Sequence, residues 1–335
     1  MPCPEWIAFG TARSLGRISA QKNTAGLPMP TPVSGNQTIS YLSRRFAEAG
    51  IRLRTRHGQN FLIDLNLMRL IVERAELSQS DVVLEVGTGT GALTALMAGS
   101  VASVVTVEID PQLYQIASEE LFGFSNVVML AQDALKNKST FDPRLIDAVA
   151  EQLAAGPHRH LKLVANLPYS VATPVIANLL SAAVLPESMT VTIQKELADR
   201  ITAQPGSKDY GALSVWIQSQ CRTELVRTLP PTVFWPRPKV TSAIIHVAVD
   251  HRLRSQLPDP AFFHDFVRSL FFHRRKFLRG VLQSALKGRL DKSAIDELLA
   301  QTGLRPEGRA EQLDVAAILA LSEAVRARLD SARDD

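Results

Sequence analysis

The segment DVVLEVGTGTG, residues 81–91, determines the fold predicted for this chain. Its first six residues are rich in β-branched side chains, which favours a buried strand. Gly87, Gly89 and Gly91 follow directly, and residues 93–97 then have helical character. A strand, a glycine-rich turn and a helix are typical of the first unit of a nucleotide-binding α/β sheet, because glycine lets the backbone turn tightly and approach a ligand closely.

Two further predicted strands bring carboxylates to the same edge of the sheet. The strand at residues 103–107 leads into Glu108, and the strand at residues 126–131 leads into Gln132-Asp133. An acid about 20 positions after the first glycine is suited to accept hydrogen bonds from ribose hydroxyls. Asp133 is suited to accept from an adenine amino group, although it could instead be an N-cap of the following segment. The pattern therefore predicts an adenosine site.

The glycine pattern alone does not separate an adenosine site from a dinucleotide site. Gly87, Gly89 and Ala92 also satisfy the G-x-G-x-x-G/A fingerprint of dinucleotide-binding proteins. A redox enzyme would also need a site for hydride transfer, and the sequence offers no strong candidate.

A fourth strand, residues 161–165, ends in Asn166-Leu167-Pro168-Tyr169. An amide, a proline and an aromatic ring at the carboxyl edge of an open sheet lie where such sheets bind ligands. Taken alone, the tetrapeptide could also be a strand leaving its sheet through a turn before proline. Later strands are predicted at residues 188–193, 224–229 and 242–249.

Length and composition indicate a globular protein with a large core. The chain has 335 residues, of which 46% are hydrophobic and 21% charged, and a net charge of +4. Two cysteines cannot form a disulfide framework or a thiolate metal site and suit a reducing compartment, so we expect a cytoplasmic protein without a metal. Two long spans without charge, residues 86–107 and 163–186, are interrupted by glycine or proline, so no membrane segment is expected.

Three regions differ in character. Residues 1–40 are basic and lack the apolar core of a signal peptide; they are a transit sequence, a disordered arm, or the result of an early start codon with Met29 as a later one. Residues 41–250 are predicted to form the α/β domain, and residues 251–335 a basic helical domain that binds RNA.

Cations are concentrated in two stretches. Residues 41–57 contain five arginines against one acid, and this stretch is either a solvated face or an arm that grips phosphates. Residues 251–289 contain nine Lys or Arg against two acids. Six phenylalanines are interleaved with the second group, and helical spacing predicts that most of them are core: Phe262, Phe263, Phe266, Phe271, Phe272 and Phe277.

Six motifs in this order resemble those of the rRNA adenine N6,N6-dimethyltransferase family, and most closely its small-subunit members. They are Gln59-Asn60-Phe61-Leu62, residues 85–91, Glu108-Ile109-Asp110, Gln132-Asp133-Ala134, Asn166-Leu167-Pro168-Tyr169 and residues 236–243. Thr88 and Arg237 stand where the family often has proline. The resemblance covers residues 44–329.

The resemblance implies an α/β fold with a Rossmann-like class I methyltransferase sheet and a small C-terminal all-helical domain. It implies S-adenosylmethionine as the cofactor and two sets of site residues. The cofactor contacts are Asn60, Leu62, Gly87, Glu108, Asp133 and Asn166; the catalytic set is Asn166, Leu167, Pro168, Tyr169 and Phe234.

The expected chemistry explains these residue types. The lone pair of an adenine N6 is delocalised, so acceptors must turn the amine towards the methyl donor. The Asn166 oxygen and a main-chain carbonyl near Leu167-Pro168 can accept the two N6 hydrogens, while Tyr169, with Phe234 on the other face, can stack the base.

The implied partner is small-subunit rRNA in a pre-ribosomal particle, bound by a monomer and modified on two adjacent adenosines near its 3′ end. Three alternatives stay open at this point. They are a large-subunit rRNA methyltransferase, a DNA adenine methyltransferase, and a ribosome-assembly or transcription factor that keeps the fold without catalysis.

Overall fold

A computed structural model of the chain describes residues 38–48, 50, 60–273 and 276–334. The predictions for residues 1–37, Gln59, Arg274 and Arg275 lie outside the described residues, as do those for Arg52, Arg54 and Arg56.

All seven strands predicted from the sequence are present, and four strands of two or three residues were not predicted: Phe61–Leu62, Leu135–Asn137, Thr140–Phe141 and Phe234–Trp235. In chain order the strands are β1 (Phe61–Leu62), β2 (Asp81–Val86), β3 (Ser103–Glu108), β4 (Val127–Ala131), β5 (Leu135–Asn137), β6 (Thr140–Phe141), β7 (His160–Asn166), β8 (Ser188–Gln194), β9 (Cys221–Leu229), β10 (Phe234–Trp235) and β11 (Ser242–Val249).

A seven-stranded sheet has the order β4-β3-β2-β7-β8-β11-β9. The first five strands are parallel, and β11 pairs antiparallel with both of its neighbours. The carboxyl ends of β2, β3, β4 and β7 therefore meet at one edge, as predicted. A separate two-stranded ribbon joins β1 to β10, with Phe61 opposite Trp235 and Leu62 opposite Phe234.

The helices begin where the sequence supplies caps. Aspartate side chains accept main-chain N–H groups at the start of many of them, for example Asp64, Asp110 and Asp291, and proline is the first residue of three of the described helices. They are α1 (Ile39–Glu48), α2 (Leu65–Arg74), α3 (Ala92–Ala98), α4 (Pro111–Glu120), α5 (Pro143–Ala154), α6 (Ala172–Leu179), α7 (Lys195–Thr202), α8 (Ala212–Gln218), α9 (His251–Arg254), α10 (Pro260–Leu270), α11 (Leu278–Ala285), α12 (Lys292–Gln301) and α13 (Val315–Asp334).

The core lies on both faces of the sheet because successive side chains of a strand point to opposite faces. In β2, Val82, Leu84 and Val86 face one apolar cluster, while Val83 faces the other with residues of α2 and α3. The first cluster continues without a break into apolar side chains of α10 to α13. The helical C-terminal part therefore packs on the same core as the sheet.

The prediction that most of the six phenylalanines are core is confirmed, with two exceptions. Phe263, Phe266 and Phe271 are buried, and Phe262 is partly buried against the core. Phe272 is 79% exposed and Phe277 is 55% exposed. The exceptions have a simple cause: α10 ends at Leu270 and α11 begins at Leu278, so helical periodicity no longer decides which way these two side chains point.

Both long spans without charge form strands, turns and buried helices of the α/β fold. Within the described ranges, the structure contains no helix with the length and apolar character needed to cross a membrane.

Candidate active site

A cleft of about 220 Å³ opens at the carboxyl edge of the parallel strands. Most of the residues predicted as site residues line it together, although they come from five separate segments of the chain. They are Asn60, Gly87, Glu108, Asp133, Asn166, Leu167, Pro168 and Tyr169.

The glycine turn forms one wall of the cleft and has no room for side chains. Gly87 and Gly89 adopt φ angles of 90° and 58°, in the left-handed region that favours glycine. A Cβ on Gly87 would lie 3.2 Å from the Pro168 ring, and a Cβ on Gly89 would lie 3.3 Å from the Phe61 ring. The turn is therefore packed between the rings of Pro168 and Phe61, and its main chain lines the cleft without side chains.

The turn rests on a buried polar network. The Glu85 carboxyl group accepts from the Thr94 hydroxyl at 2.5 Å and from the Thr106 hydroxyl at 2.7 Å. The Thr106 hydroxyl also lies 2.6 Å from that of Thr88. Burial raises the pKa of Glu85 to about 8, so this group is largely protonated at neutral pH. The Thr88 hydroxyl thus makes a contact that the proline common at this position in the resembling family could not make.

Glu108 lies at the end of β3 and is almost fully buried. Its two oxygens accept the main-chain N–H groups of Gly89 and Asp110 at 2.9 and 3.0 Å. Burial raises the pKa of this carboxyl group, although these two hydrogen bonds oppose the change. The bonds fix the plane of the carboxyl group and leave each oxygen with a lone pair for a ligand hydroxyl.

Asp133 is exposed and follows the end of β4. One carboxylate oxygen accepts from the N–H of Leu135 at 2.9 Å. Because Leu135 begins the short strand β5, this hydrogen bond stabilises a turn before a strand, and Asp133 is not the N-cap of a helix. Its second oxygen can accept from a ligand amino group.

Asn166 is held by a contact across the cleft. Its side-chain Nδ2 donates to the main-chain oxygen of Asn60 at 2.9 Å. The amide is therefore oriented with its nitrogen towards Asn60, and its oxygen is the atom that can accept from a substrate. The Leu167 N–H donates to the Thr192 oxygen at 3.1 Å, and the Pro168 oxygen accepts from Val171 at 3.0 Å. The Leu167 carbonyl is thus the candidate for the second acceptor.

Tyr169 is half-buried, and its hydroxyl lies 2.6 Å from the Ser242 hydroxyl at the start of β11. Burial raises the pKa of Tyr169. Ser242 itself is fully buried. The contact fixes the direction of the tyrosine ring from a strand that lies 73 residues further along the chain.

Two predicted site residues lie outside the wall of this cleft. Phe234 is 2% exposed and packs in a core cluster that also contains Leu62, which is 5% exposed. Leu62 lines a smaller cavity of about 50 Å³ beneath the glycine turn. In this conformation the Phe234 ring cannot stack a base, and its assignment stays a prediction that requires the ring to leave the core.

Several lining residues were not identified from the sequence. Phe61, Ile109 and Gln132 are immediate neighbours of predicted site residues, and their position beside a strand end is the signal that could have found them. Leu113 comes from the first turns of α4, where nothing in the sequence separates it from an ordinary core leucine.

The arginine stretch has both of its described members in surface ion pairs. Arg44 lies 4.0 Å from Glu48, and Arg45 lies 3.1 Å from Glu119. For these two arginines the structure supports a solvated face, and the role of the stretch in gripping phosphates stays a prediction.

The residues present fit a nucleoside-type cofactor. A glycine turn that a Cβ would crowd, a fixed acid for ribose hydroxyls and a second acid at the next strand end occur together in one cleft. The group that fits is S-adenosylmethionine, which Asn60, Gly87, Glu108 and Asp133 would hold.

Comparisons with known proteins show what the chain is similar to. A family model for ribosomal RNA adenine dimethylase matches residues 50–324. Ribosomal RNA small subunit methyltransferase A from Geobacillus kaustophilus is 40% identical over 269 residues, which are 80% of this chain and 89% of the relative. The protein of the same name from Halothermothrix orenii is 38% identical over 267 residues, 79% of this chain and 85% of the relative.

Two solved structures share the fold. A dimethyladenosine transferase from Plasmodium falciparum has a TM-score of 0.66 at 23% identity, covering 79% of this chain and 97% of that one. The 23S rRNA methyltransferase ErmE has a TM-score of 0.56 at 24% identity, covering 80% of this chain and all of that one.

Proposed function

The chain belongs to the ribosomal RNA adenine dimethylase family and is an S-adenosylmethionine-dependent methyltransferase, and we propose that it dimethylates N6 of two adjacent adenosines near the 3′ end of small-subunit rRNA. The observation that carries this proposal is the fixed amide of Asn166. It lies in one cleft with the glycine turn and Glu108, and its nitrogen is held by Asn60.

Two acceptors are proposed to orient the target amine. The Asn166 Oδ1 atom and the Leu167 carbonyl accept the two hydrogens of the adenine N6, which turns its lone pair towards the methyl donor. The same oxygens stabilise positive charge as it develops on the nitrogen, and they need no reorganisation because the protein already holds them.

The remaining residues bind and position. The cofactor supplies an electrophilic methyl group when it is bound. Glu108 binds the ribose hydroxyls and Asp133 the adenine amino group, while the backbone at Gly87 permits close approach. The methylated amine is strongly acidic and loses its proton to water, so the proposal assigns no residue as general base.

Tyr169 is proposed to stack on the extruded target base. Its ring lines the cleft and its hydroxyl is held by Ser242, which supports a fixed stacking surface. Phe234 would cover the opposite face of the base after a local movement out of the core.

Residues 251–335 are proposed as a domain that binds the rRNA around the target. The proposed substrate is a pre-ribosomal particle in the cytoplasm, bound by one copy of the chain. The excess of cations in residues 251–289 supports a polyanionic partner.

The direct test is methylation of ribosomal subunits that lack the modification. The protein is incubated with labelled S-adenosylmethionine and either small or large subunits, and the rRNA is then digested to nucleosides. We expect N6,N6-dimethyladenosine from the small subunit alone, within a 3′-terminal fragment. Label in large-subunit rRNA would contradict the substrate, and binding without label would favour an assembly factor.

A further inference from the structure

A second concave surface lies between α10 and α11, far along the chain from the active-site segments. This α10–α11 groove has a volume of about 600 Å³. Its lining includes Arg268, Ser269, Phe272, His273, Val281 and Ser284. Val281 is buried and forms an apolar floor, while the other five side chains are exposed.

Phe272 is the unusual member of this groove. Its side chain is 79% exposed, whereas the preceding residue, Phe271, is 8% exposed. Its ring meets that of His273 edge to face, with centroids 4.8 Å apart. The Phe272 ring therefore stands at the margin of a groove with a partner on one side only, which leaves ring surface for a flat ligand.

The charge around the groove favours an anionic partner. Arg268 lines it, Lys276 lies in the connection between α10 and α11, and both side chains are exposed. Within the described part of the chain neither side chain forms a salt bridge, whereas the nearby Arg279 is paired with Asp296 at 2.5 Å. Cations without carboxylate partners are available to contact phosphates.

Other groups in the groove argue against a bare phosphate as the ligand. Asp265 also lines it and would repel a simple anion. The Ser269 and Ser284 hydroxyls donate to main-chain oxygens of their own helices, at 2.9 and 2.8 Å, so their remaining capacity is to accept. An aromatic face, hydrogen-bond acceptors and unpaired cations together match a nucleotide, which has a flat base, amino groups and a phosphate.

We propose that the α10–α11 groove binds one unpaired nucleotide of the rRNA substrate, with its base stacked on Phe272 and its phosphates near Arg268 and Lys276. The nucleotide is distinct from the adenosine in the active-site cleft. The inference rests on the proposed function in that it takes rRNA as the partner. It assigns to Phe272 a role in affinity and none in methyl transfer.

The test compares two exposed phenylalanines. Phe272→Ala removes the proposed stacking ring. Phe122→Ala is the matched control, because Phe122 is 93% exposed and lies just before the edge strand β4, outside the α10–α11 groove. The probes are unmethylated small subunits and a labelled single-stranded oligoadenylate. We expect Phe272→Ala to bind both about 5- to 150-fold more weakly, and Phe122→Ala to bind like the parent.

Salt dependence separates stacking from charge. Phe272→Ala removes no charge, so we expect it to lower affinity without changing the slope of log affinity against log salt. Arg268→Gln should reduce that slope by about 0.7 to 0.9. Phe272→Trp should retain binding because it keeps a stacking face, whereas Phe272→Leu should not.

Three outcomes would overturn the proposal: Phe272→Ala binding RNA like the Phe122→Ala control, Phe272→Leu retaining full affinity, or Phe272→Ala losing its single-turnover methylation rate at saturating RNA. Full affinity in Phe272→Leu would show that no base stacks on this ring. Failure of the proposed function would look different, because the parent itself would then leave small subunits unmethylated.

Discussion

The active-site cleft and the α10–α11 groove hold their side chains in different ways. In the cleft, Asn166, Glu108 and Tyr169 are each bound by a group from another segment. In the groove, the serine hydroxyls donate to main-chain oxygens of their own helices, and the aromatic ring is largely in water. A site that must direct a reaction requires fixed atoms, whereas a site that only adds affinity can be adjusted by its ligand. Changes in the cleft should therefore alter the methylation rate or cofactor binding, and changes in the groove should alter RNA binding without altering the rate.

The largest expected effect tests the fixed amide. Asn166→Ala removes the acceptor that meets charge developing on N6, so we expect the single-turnover methylation rate at saturating cofactor and RNA to fall by about 10² to 10³. Asn178→Ala is the control, because Asn178 also donates its amide to a main-chain oxygen, that of Lys138, but on α6 outside the cleft wall. An Asn166→Ala protein that melts like the parent and methylates at the parent rate would remove the proposed mechanism.

The next effect concerns the two acids at the strand ends. Glu108→Ala and Asp133→Ala should each weaken cofactor binding by about 5- to 150-fold, since each loses hydrogen bonds to a charged group, and should leave RNA binding nearly intact. Isothermal calorimetry with S-adenosylmethionine measures this, with the exposed Asp147 of α5 changed to Ala as the control. Unchanged cofactor affinity in both variants would show that the adenosine lies elsewhere.

A smaller effect tests whether the hydrogen bond with Ser242 holds the Tyr169 ring in place in the cleft. Tyr169→Phe keeps the stacking ring but loses the contact with Ser242, so it should reduce kcat/KM by about 2- to 10-fold. Ser242→Ala should cost a similar amount, and the double variant should be no worse than either single one, because both remove the same hydrogen bond. Additive losses would mean that the two hydroxyls act separately.

Tyr169→Ala should weaken binding of the target base by more, about 1–3 kcal/mol, because it removes the stacking ring itself.

The smallest effect concerns stability and the network beneath the glycine turn. The pKa of Glu85 is raised from 4.5 to about 8, so between these pH values the folded protein holds a proton that the unfolded chain has lost. This group therefore lowers the free energy of unfolding as pH rises through that window. Glu85→Gln removes the titration, and its melting temperature should match the parent near pH 5 and exceed it by a few degrees near pH 8.5. If the melting temperatures of the two proteins changed in the same way with pH across this window, Glu85 would not have the raised pKa.

The sequence predicted the elements that local patterns control. The bounds of β2 and β11 and the shared edge that carries Gly87, Glu108 and Asn166 follow from alternation, glycine positions and the way parallel strands align. The contact between Tyr169 and Ser242 was not predicted, because no local pattern links residues 73 positions apart. The exposure of Phe272 was missed for a related reason: it depends on where one helix stops, and propensity locates helix ends poorly.

The β1–β10 ribbon joins Asn60, which is proposed to bind the cofactor, to Phe234, which is proposed to cover the target base. Phe61 lies opposite Trp235, and the Ile63 N–H donates to the Val233 oxygen at 2.9 Å. Strand β1, which follows Asn60, and strand β10, which contains Phe234, are therefore joined by hydrogen bonds. A ligand that orders this ribbon on either side lowers the entropic cost of binding the other. Cofactor and rRNA should therefore bind cooperatively, and the factor by which one raises the affinity of the other must be the same in both directions.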